Sequence, residues 1–155
     1  MEAHFTWKTK LFSKKFEIYR NDNMVGELRK EPFSRKTFGE LNVKKIMFVT
    51  KGFFKHETSI MDFDEINAMG TILYNLWKSK STINYMNKEY KWQFDNFLRT
   101  KWSLANENET LIRYHSRGFK GNIDTYTDDE VLILSGFFIR NYLKQRAAET
   151  SAAAS

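Results

Sequence analysis

The feature that most constrains this chain is an unbroken apolar run near its C-terminal end, residues 131–139, with the sequence VLILSGFFI. On a helical wheel the run is apolar all the way round, with only two small residues interrupting it. A helix that is apolar on every side must be surrounded by apolar material. A membrane-spanning helix needs about 20 such residues, whereas Arg140 and Asn141 close this run. The sequence therefore predicts a helix enclosed by protein, with a transmembrane helix as the less favoured alternative.

The residues before the run predict where the helix begins. Thr127 and Glu130 have the spacing of a capping box, in which Thr127 is the N-cap. The acids at 128–130 suit the positive end of a helix dipole, and Lys144 and Arg146 suit its negative end. We therefore expect a helix over about 128–146, followed by a disordered tail rich in Ala and Ser over 147–155.

The rest of the chain has a periodicity of two, which is typical of half-buried strands. The clearest strand, residues 90–95 (YKWQFD), alternates aromatic and polar side chains and follows a strand at 82–86. These two predict one hairpin, and a turn at 21–23 predicts another. The further predicted strands lie at 16–19, 24–28, 45–54, 69–77, 97–104, 110–115 and 119–126, with a helix as the alternative for 64–78.

Strand signals every eight to twelve residues predict a sandwich or a barrel. The order of parts, many short strands and then one hydrophobic helix, resembles the tubby C-terminal-like superfamily, which includes tubby, LURP-one-related and phospholipid scramblase proteins. The resemblance is carried by 121–124 (GNID), 128–130 (DDE) and 132–139 (LILSGFFI). It implies a mainly β fold, a closed antiparallel β-barrel that encloses a hydrophobic C-terminal α-helix, in a single domain over 1–146.

Composition excludes several classes of site. The chain has 155 residues and no cysteine, so disulfides, thiolate metal sites and cysteine nucleophiles are excluded. The first residues show no signal peptide. Together these observations favour a cytoplasmic protein, and the basic residues described below would place it at the periphery of a membrane.

We identify no catalytic, cofactor-binding or metal-binding residues in the sequence. His4, His56 and His115 lack the spacing of metal ligands. The acids Asp62, Asp64 and Glu65 are more typical of a solvated turn than of a cation site. No nucleophile elbow and no glycine-rich phosphate loop is present, so we expect no cofactor, and an enzyme is a less favoured function.

The distribution of charge suggests a binding function. Residues 1–55 contain 13 Lys or Arg against 6 Asp or Glu, whereas residues 56–155 contain 12 against 13. Such a bias favours anionic partners. The candidate anion-binding residues are Arg29, Lys30, Arg35, Lys36, Lys44 and Lys45. A loop between strands could gather them into one patch for anionic phospholipid head groups, although lysines also protect strand edges from aggregation.

Aromatic residues leave a second function open. Trp7, Trp77, Trp92, Trp102, Tyr85 and Tyr90 would stack nucleic-acid bases if they lay on an exposed face beside Lys91, Arg99 and Lys101. An inward orientation of Tyr90 and Trp92 would instead favour lipid or protein partners. The preferred function is thus a non-enzymatic module that docks to an anionic membrane. The alternatives are a single-stranded nucleic-acid-binding barrel and a small enzyme or protein-interaction subunit, with no prediction of oligomeric state.

Overall fold

The computed structural model describes residues 2–51 and 57–154, and it is a closed antiparallel barrel of twelve strands with one C-terminal helix. Each strand pairs with its neighbours along the chain, and β1 closes the barrel against β12, with Phe5 opposite Ile123. The strands are β1 Ala3–Lys8, β2 Lys15–Arg20, β3 Asn23–Lys30, β4 Lys36–Leu41, β5 Lys44–Lys51, β6 Glu57–Asp62, β7 Ala68–Asn75, β8 Lys80–Tyr85, β9 Lys88–Phe94, β10 Lys101–Ala105, β11 Thr110–Arg117 and β12 Lys120–Thr125. The helix, α1, is Glu130–Ala154. The predicted fold class is confirmed.

The predicted hairpins form as β2–β3 and β8–β9, and the region from 68 to 75 is strand β7 rather than a helix. The strand predicted over 97–104 begins only at Lys101. A turn occupies the preceding residues because the Asn96 side-chain oxygen accepts hydrogen bonds from the backbone N–H groups of Thr100 and Lys101, at 3.0 and 3.1 Å. Residues 52–54 of the strand predicted over 45–54 lie outside the described residues.

The cap of α1 differs from the prediction. Asp129, not Thr127, is the N-cap: its Oδ1 accepts hydrogen bonds from Val131 N at 3.0 Å and Leu132 N at 3.4 Å. Thr127 lies two residues earlier, where its hydroxyl accepts a hydrogen bond from Asp129 N. The helix also continues past the predicted end at 146 to Ala154. No helix within the described part of the chain is both long and apolar enough to cross a membrane.

The apolar run of α1 lies inside the barrel, as predicted. Every residue from Val131 to Ile139 is buried, and Leu134 and Phe137 are fully inaccessible. Aromatic residues of the wall pack against it: the Phe48 and Phe138 rings stack with centroids 4.3 Å apart, and Trp7 lies 5.3 Å from Phe137. The helix therefore serves as the core of the molecule.

Three aromatic side chains of the barrel wall hydrogen-bond to the backbone of this helix. Trp92 Nε1 and Trp102 Nε1 both donate to the carbonyl oxygen of Gly136, at 3.0 and 3.2 Å. Tyr114 donates its hydroxyl to the carbonyl oxygen of Ile133 at 2.8 Å. These bonds fix both the rotation and the depth of a helix whose apolar surface alone would allow it to slide.

Gly136→Ala tests how tightly that position is packed. Alanine normally stabilises a helix interior by about 1 kcal/mol relative to glycine. Here its Cβ would lie 2.2 Å from the Tyr114 hydroxyl, so we expect the substitution to lower the free energy of unfolding by about 1–3 kcal/mol. Denaturant unfolding measures the change. Adding Tyr114→Phe should recover part of the loss, and strictly additive effects of the two substitutions would contradict the proposed contact.

Buried tyrosines predict a loss of stability in alkali. Burial raises the pKa of Tyr74 and of Tyr114 well above the ordinary value. Above about pH 10 the unfolded chain loses these phenolic protons while the folded chain keeps them, so the free energy of unfolding falls as the pH rises. Each tyrosine contributes about 1.4 kcal/mol per pH unit. Unfolding midpoints between pH 9 and 11 measure this slope, and Tyr74→Phe should make it shallower. An unchanged slope in that variant would contradict the assignment.

Candidate functional site: the basic end of the barrel

The two ends of the barrel carry opposite charges. We define the basic end by the connections 9–14, 31–35, 76–79, 95–100 and 118–119 together with the strand termini that flank them. The opposite, acidic end holds the connections 21–22, 42–43, 63–67, 86–87, 106–109 and 126–129. Because α1 follows β12, it enters the barrel at the acidic end and leaves it at the basic end.

Strand termini supply most of the positive charge at the basic end. Nine of the twelve terminal residues there are Lys or Arg, and Glu57 is the single acid. The nine are Lys8, Lys15, Lys30, Lys36, Lys51, Lys80, Lys101, Arg117 and Lys120. Antiparallel strands alternate in direction, so these cations come from the starts of some strands and the ends of others.

Connections at the acidic end have the reverse composition. They contain no Lys or Arg and seven acids, namely Asp22, Asp64, Glu65, Glu107, Glu109, Asp128 and Asp129. The described connections at the basic end contain five cations and two acids, Glu31 and Asp95. Eight of the fourteen cations at the basic end lie in the first 55 residues, so the excess of basic residues in the first third of the sequence contributes to an asymmetry that runs from one end of the barrel to the other.

Exposed apolar side chains lie among the cations of the basic end. Each of its described connections carries at least one of them. Trp77, Phe33, Phe97 and Phe12 are more than nine-tenths exposed, and Leu11, Leu98 and Phe119 are more than half exposed. Several large apolar side chains exposed on one surface are typical of a site of interaction with a protein, a ligand or a membrane.

A cavity of about 730 Å³ opens at the basic end, between α1 and the wall formed by β2–β5. Its lining is mainly apolar, from residues that include Trp7, Phe16, Leu28 and Phe138, and it also contains Thr37 and Thr50. Its charged lining is strongly cationic: among the described residues that line it, seven are Lys or Arg and only Glu149 is an acid. The seven are Lys10, Lys14, Lys30, Arg35, Arg140, Lys144 and Arg146.

Arg140 is the most unusual of these cations, because only 8% of it is exposed. Its guanidinium donates to Ser116 Oγ and to Asn141 Oδ1, both at 3.0 Å, and lies over the rings of Trp102 and Trp7 at 5.1 and 5.9 Å. These partners are neutral, and within residues 2–51 and 57–154 no carboxylate forms an ion pair with it. Burial lowers the pKa of Arg140 accordingly.

Lys144 lies one helical turn further along α1. Lys144 is exposed to solvent, and partial desolvation together with the neighbouring charge of Arg140 lowers the pKa of Lys144. Like charges at this spacing destabilise a helix, and a buried charge without an ionic partner destabilises the fold. The lining of the cavity therefore carries positive charge that the acids around it do not balance.

The structure separates the six predicted anion-binding residues. Lys30 and Arg35 line the cavity, and Lys30 Nζ donates to the carbonyl oxygen of Ser34. Lys44 and Lys45 begin β5 at the acidic end, on the far side of a strand that spans roughly 17 Å. The six residues therefore do not form one patch.

Arg29 and Lys36 also differ from the prediction, since their charges are already matched. Arg29 pairs with Glu27 at 2.9 Å on the outer wall. Lys36 pairs with Glu65 at 2.8 Å, because the 63–67 connection folds back over the wall and places Phe63 against Phe38. The sequence analysis missed Arg140, which it took only as the end of the apolar run, and Lys144, which it assigned to the negative end of the helix dipole.

The aromatic residues considered for base stacking are mostly in the core. Trp7, Trp92 and Trp102 are at most 1% exposed, and Tyr90 is buried. Tyr90 and Trp92 face inward, the orientation that favours lipid or protein partners. Trp77 is 98% exposed and belongs to the basic end.

The acidic cluster has a structural role. The Asp62 carboxylate accepts hydrogen bonds from the backbone N–H groups of Ile66 and Asn67, which lowers the pKa of Asp62, and Glu65 is paired with Lys36. Residues 2–51 and 57–154 contain no group of three potential metal ligands. His56 lies outside the described residues, while His4 pairs with Asp124 on the outer wall.

Comparison of the chain with protein-family models, with curated proteins and with solved structures gave no match. The resemblance to the tubby C-terminal-like superfamily therefore stays a prediction.

Proposed function

We propose that the protein is a non-enzymatic module that docks with the basic end of its barrel against an anionic membrane surface. The observation that carries this proposal is the combination, on one face, of cationic strand termini and exposed aromatic or aliphatic side chains in each described connection. Either feature alone has a simpler explanation. Lysines protect strand ends, and single apolar residues are common on surfaces.

The two sets of side chains fit the two layers of a membrane interface. Each Lys or Arg close to an anionic leaflet contributes about 1 kcal/mol. Aromatic side chains such as that of Trp77 partition into the head-group region, because the ring has an apolar body and a polar N–H group. The absence of basic residues from the connections at the acidic end gives the protein one orientation on the bilayer, since the acidic end would be repelled.

Trp77 provides a direct measurement of docking. It is the one exposed tryptophan, because Trp7, Trp92 and Trp102 are buried. On addition of vesicles rich in phosphatidylserine, we expect its emission to shift to shorter wavelength and its quenching by iodide to fall. Trp77→Phe should abolish the change in emission. Equal changes with phosphatidylcholine vesicles would contradict a dependence on lipid charge.

Charge substitutions test which end docks. Lys78→Gln with Lys120→Gln removes two exposed cations from the basic end, and we expect vesicle affinity to fall about fivefold per charge. Lys44→Gln with Lys45→Gln removes two exposed cations from the acidic end and is the matched control. Co-sedimentation at low salt measures both, and it should weaken as salt shortens the Debye length. An equal loss in the two variants would contradict docking by the basic end.

Apolar substitutions test the second part of the interface. Phe33→Ser with Phe97→Ser should weaken co-sedimentation even at high lipid charge, whereas Val43→Ser with Met86→Ser at the acidic end should not. Single-stranded DNA is included as a competitor, because Trp77, Phe97 and Arg99 border a small cleft with a volume of about 280 Å³. Tighter binding to that DNA than to vesicles would replace the proposal with nucleic-acid binding.

A further inference from the structure

The interior of the cavity at the basic end lies between α1 and the barrel wall, whereas Leu11, Phe12 and Phe119 line the cavity and also belong to the docking surface. The volume of the cavity, about 730 Å³, is within the range of small-ligand pockets. Such pockets combine an apolar lining with a few polar groups that fix the orientation of the ligand. Here the polar groups are mainly cations.

We propose that this cavity binds a single-chain anionic amphiphile, with the chain against Phe16, Leu28 and Phe138 and the acidic group at Arg140 and Lys144. The inference extends the proposed function and rests on it for the source of the ligand, which would enter from the docked membrane.

The case for an acidic group begins with Arg140. A guanidinium with so little exposure normally pairs with a carboxylate or a phosphate, yet its partners here are a hydroxyl, an amide and two indole rings. These contacts hold the side chain in place without neutralising it. Lys144, one turn away, adds a second positive charge and raises the free energy of the empty site. A bound anion would relieve both charges at once.

The case for an apolar chain comes from the opposite wall of the cavity. Phe16 and Leu28 belong to β2 and β3, and Phe138 of α1 lines the same cavity. A free phosphate or carboxylate ion would use the cations and leave this wall without a partner. An uncharged alcohol would use the wall and leave Arg140 unpaired. Only a molecule with both parts uses the whole cavity.

Calorimetric titration without vesicles tests the inference separately from docking. The probes are dodecyl phosphate and decyl phosphate below their micelle concentrations, dodecanol, and inorganic phosphate. We expect dodecyl phosphate to bind about tenfold more tightly than decyl phosphate, because each buried methylene adds affinity. Dodecanol and inorganic phosphate should both bind at least about tenfold more weakly than dodecyl phosphate. Equal affinity for the two alkyl phosphates, or for dodecyl phosphate and dodecanol, would overturn the proposal.

Two pairs of variants locate the binding site. Arg140→Gln should weaken dodecyl phosphate binding by about tenfold, and Lys88→Gln at the acidic end should leave it unchanged. Arg140→Gln could also unfold the protein, so a second variant blocks the cavity without altering Arg140. Ala148→Trp places a large ring among the lining residues, whereas Ala147→Trp, one residue earlier on α1, does not. Binding should be lost in Ala148→Trp and kept in Ala147→Trp.

These outcomes separate the two proposals. Vesicle docking without dodecyl phosphate binding would remove the amphiphile site and leave the docking surface intact. Binding of dodecyl phosphate that Ala147→Trp and Ala148→Trp affect equally would place the ligand elsewhere and overturn the assignment to this cavity.

Discussion

A closed barrel of twelve strands is wider than its own side chains can fill, since about eight strands already give an interior that side chains just occupy. The lumen must therefore hold water, a ligand or another part of the chain. In this protein α1 occupies it, and the remaining structure depends on that fit. The wall and the helix are adapted to each other by the aromatic residues of the wall, by the small residues Ser135 and Gly136 of α1 and by the hydrogen bonds to Gly136 O.

The helix fills the barrel unevenly along its length. From Val131 to Ile139 it is surrounded by side chains, but at the basic end it continues beyond the wall, and the space beside it is the cavity. Arg140 lies at the boundary between the enclosed part of α1 and the part that lines the cavity. The barrel is thus filled by α1 along the apolar run and has an open, cationic mouth at the basic end.

The sequence predicted the parts of the fold that depend on local patterns. The enclosed helix follows from nine successive residues, and the β2–β3 and β8–β9 hairpins follow from alternation on either side of a short turn. The predicted position of the N-cap was wrong by two residues, because Thr127 and Asp129 are both residue types that commonly cap a helix. Hydrogen-bond geometry, rather than residue type, decides between them.

The site depends on information that no local pattern contains. Lys8 ends a strand and Lys15 begins the next, and only the alternating direction of the strands shows that both lie at one end. Pairs of adjacent cations were a misleading guide, since Lys36 and Lys44 are close in sequence but face opposite ends of the barrel. Arg140 ended the apolar run in the sequence, and nothing local showed that it would be buried against two tryptophans.

The opposite charges at the two ends give the molecule a permanent electric dipole moment along the barrel axis. In the field of an anionic surface such a dipole experiences a torque before any contact is made, so the protein would arrive already turned with its basic end forward. Most of the rotational search that limits protein association would then be complete at a distance of about one Debye length. The rate of arrival should accordingly depend on ionic strength more strongly than the rate of departure, which the buried aromatic contacts would govern.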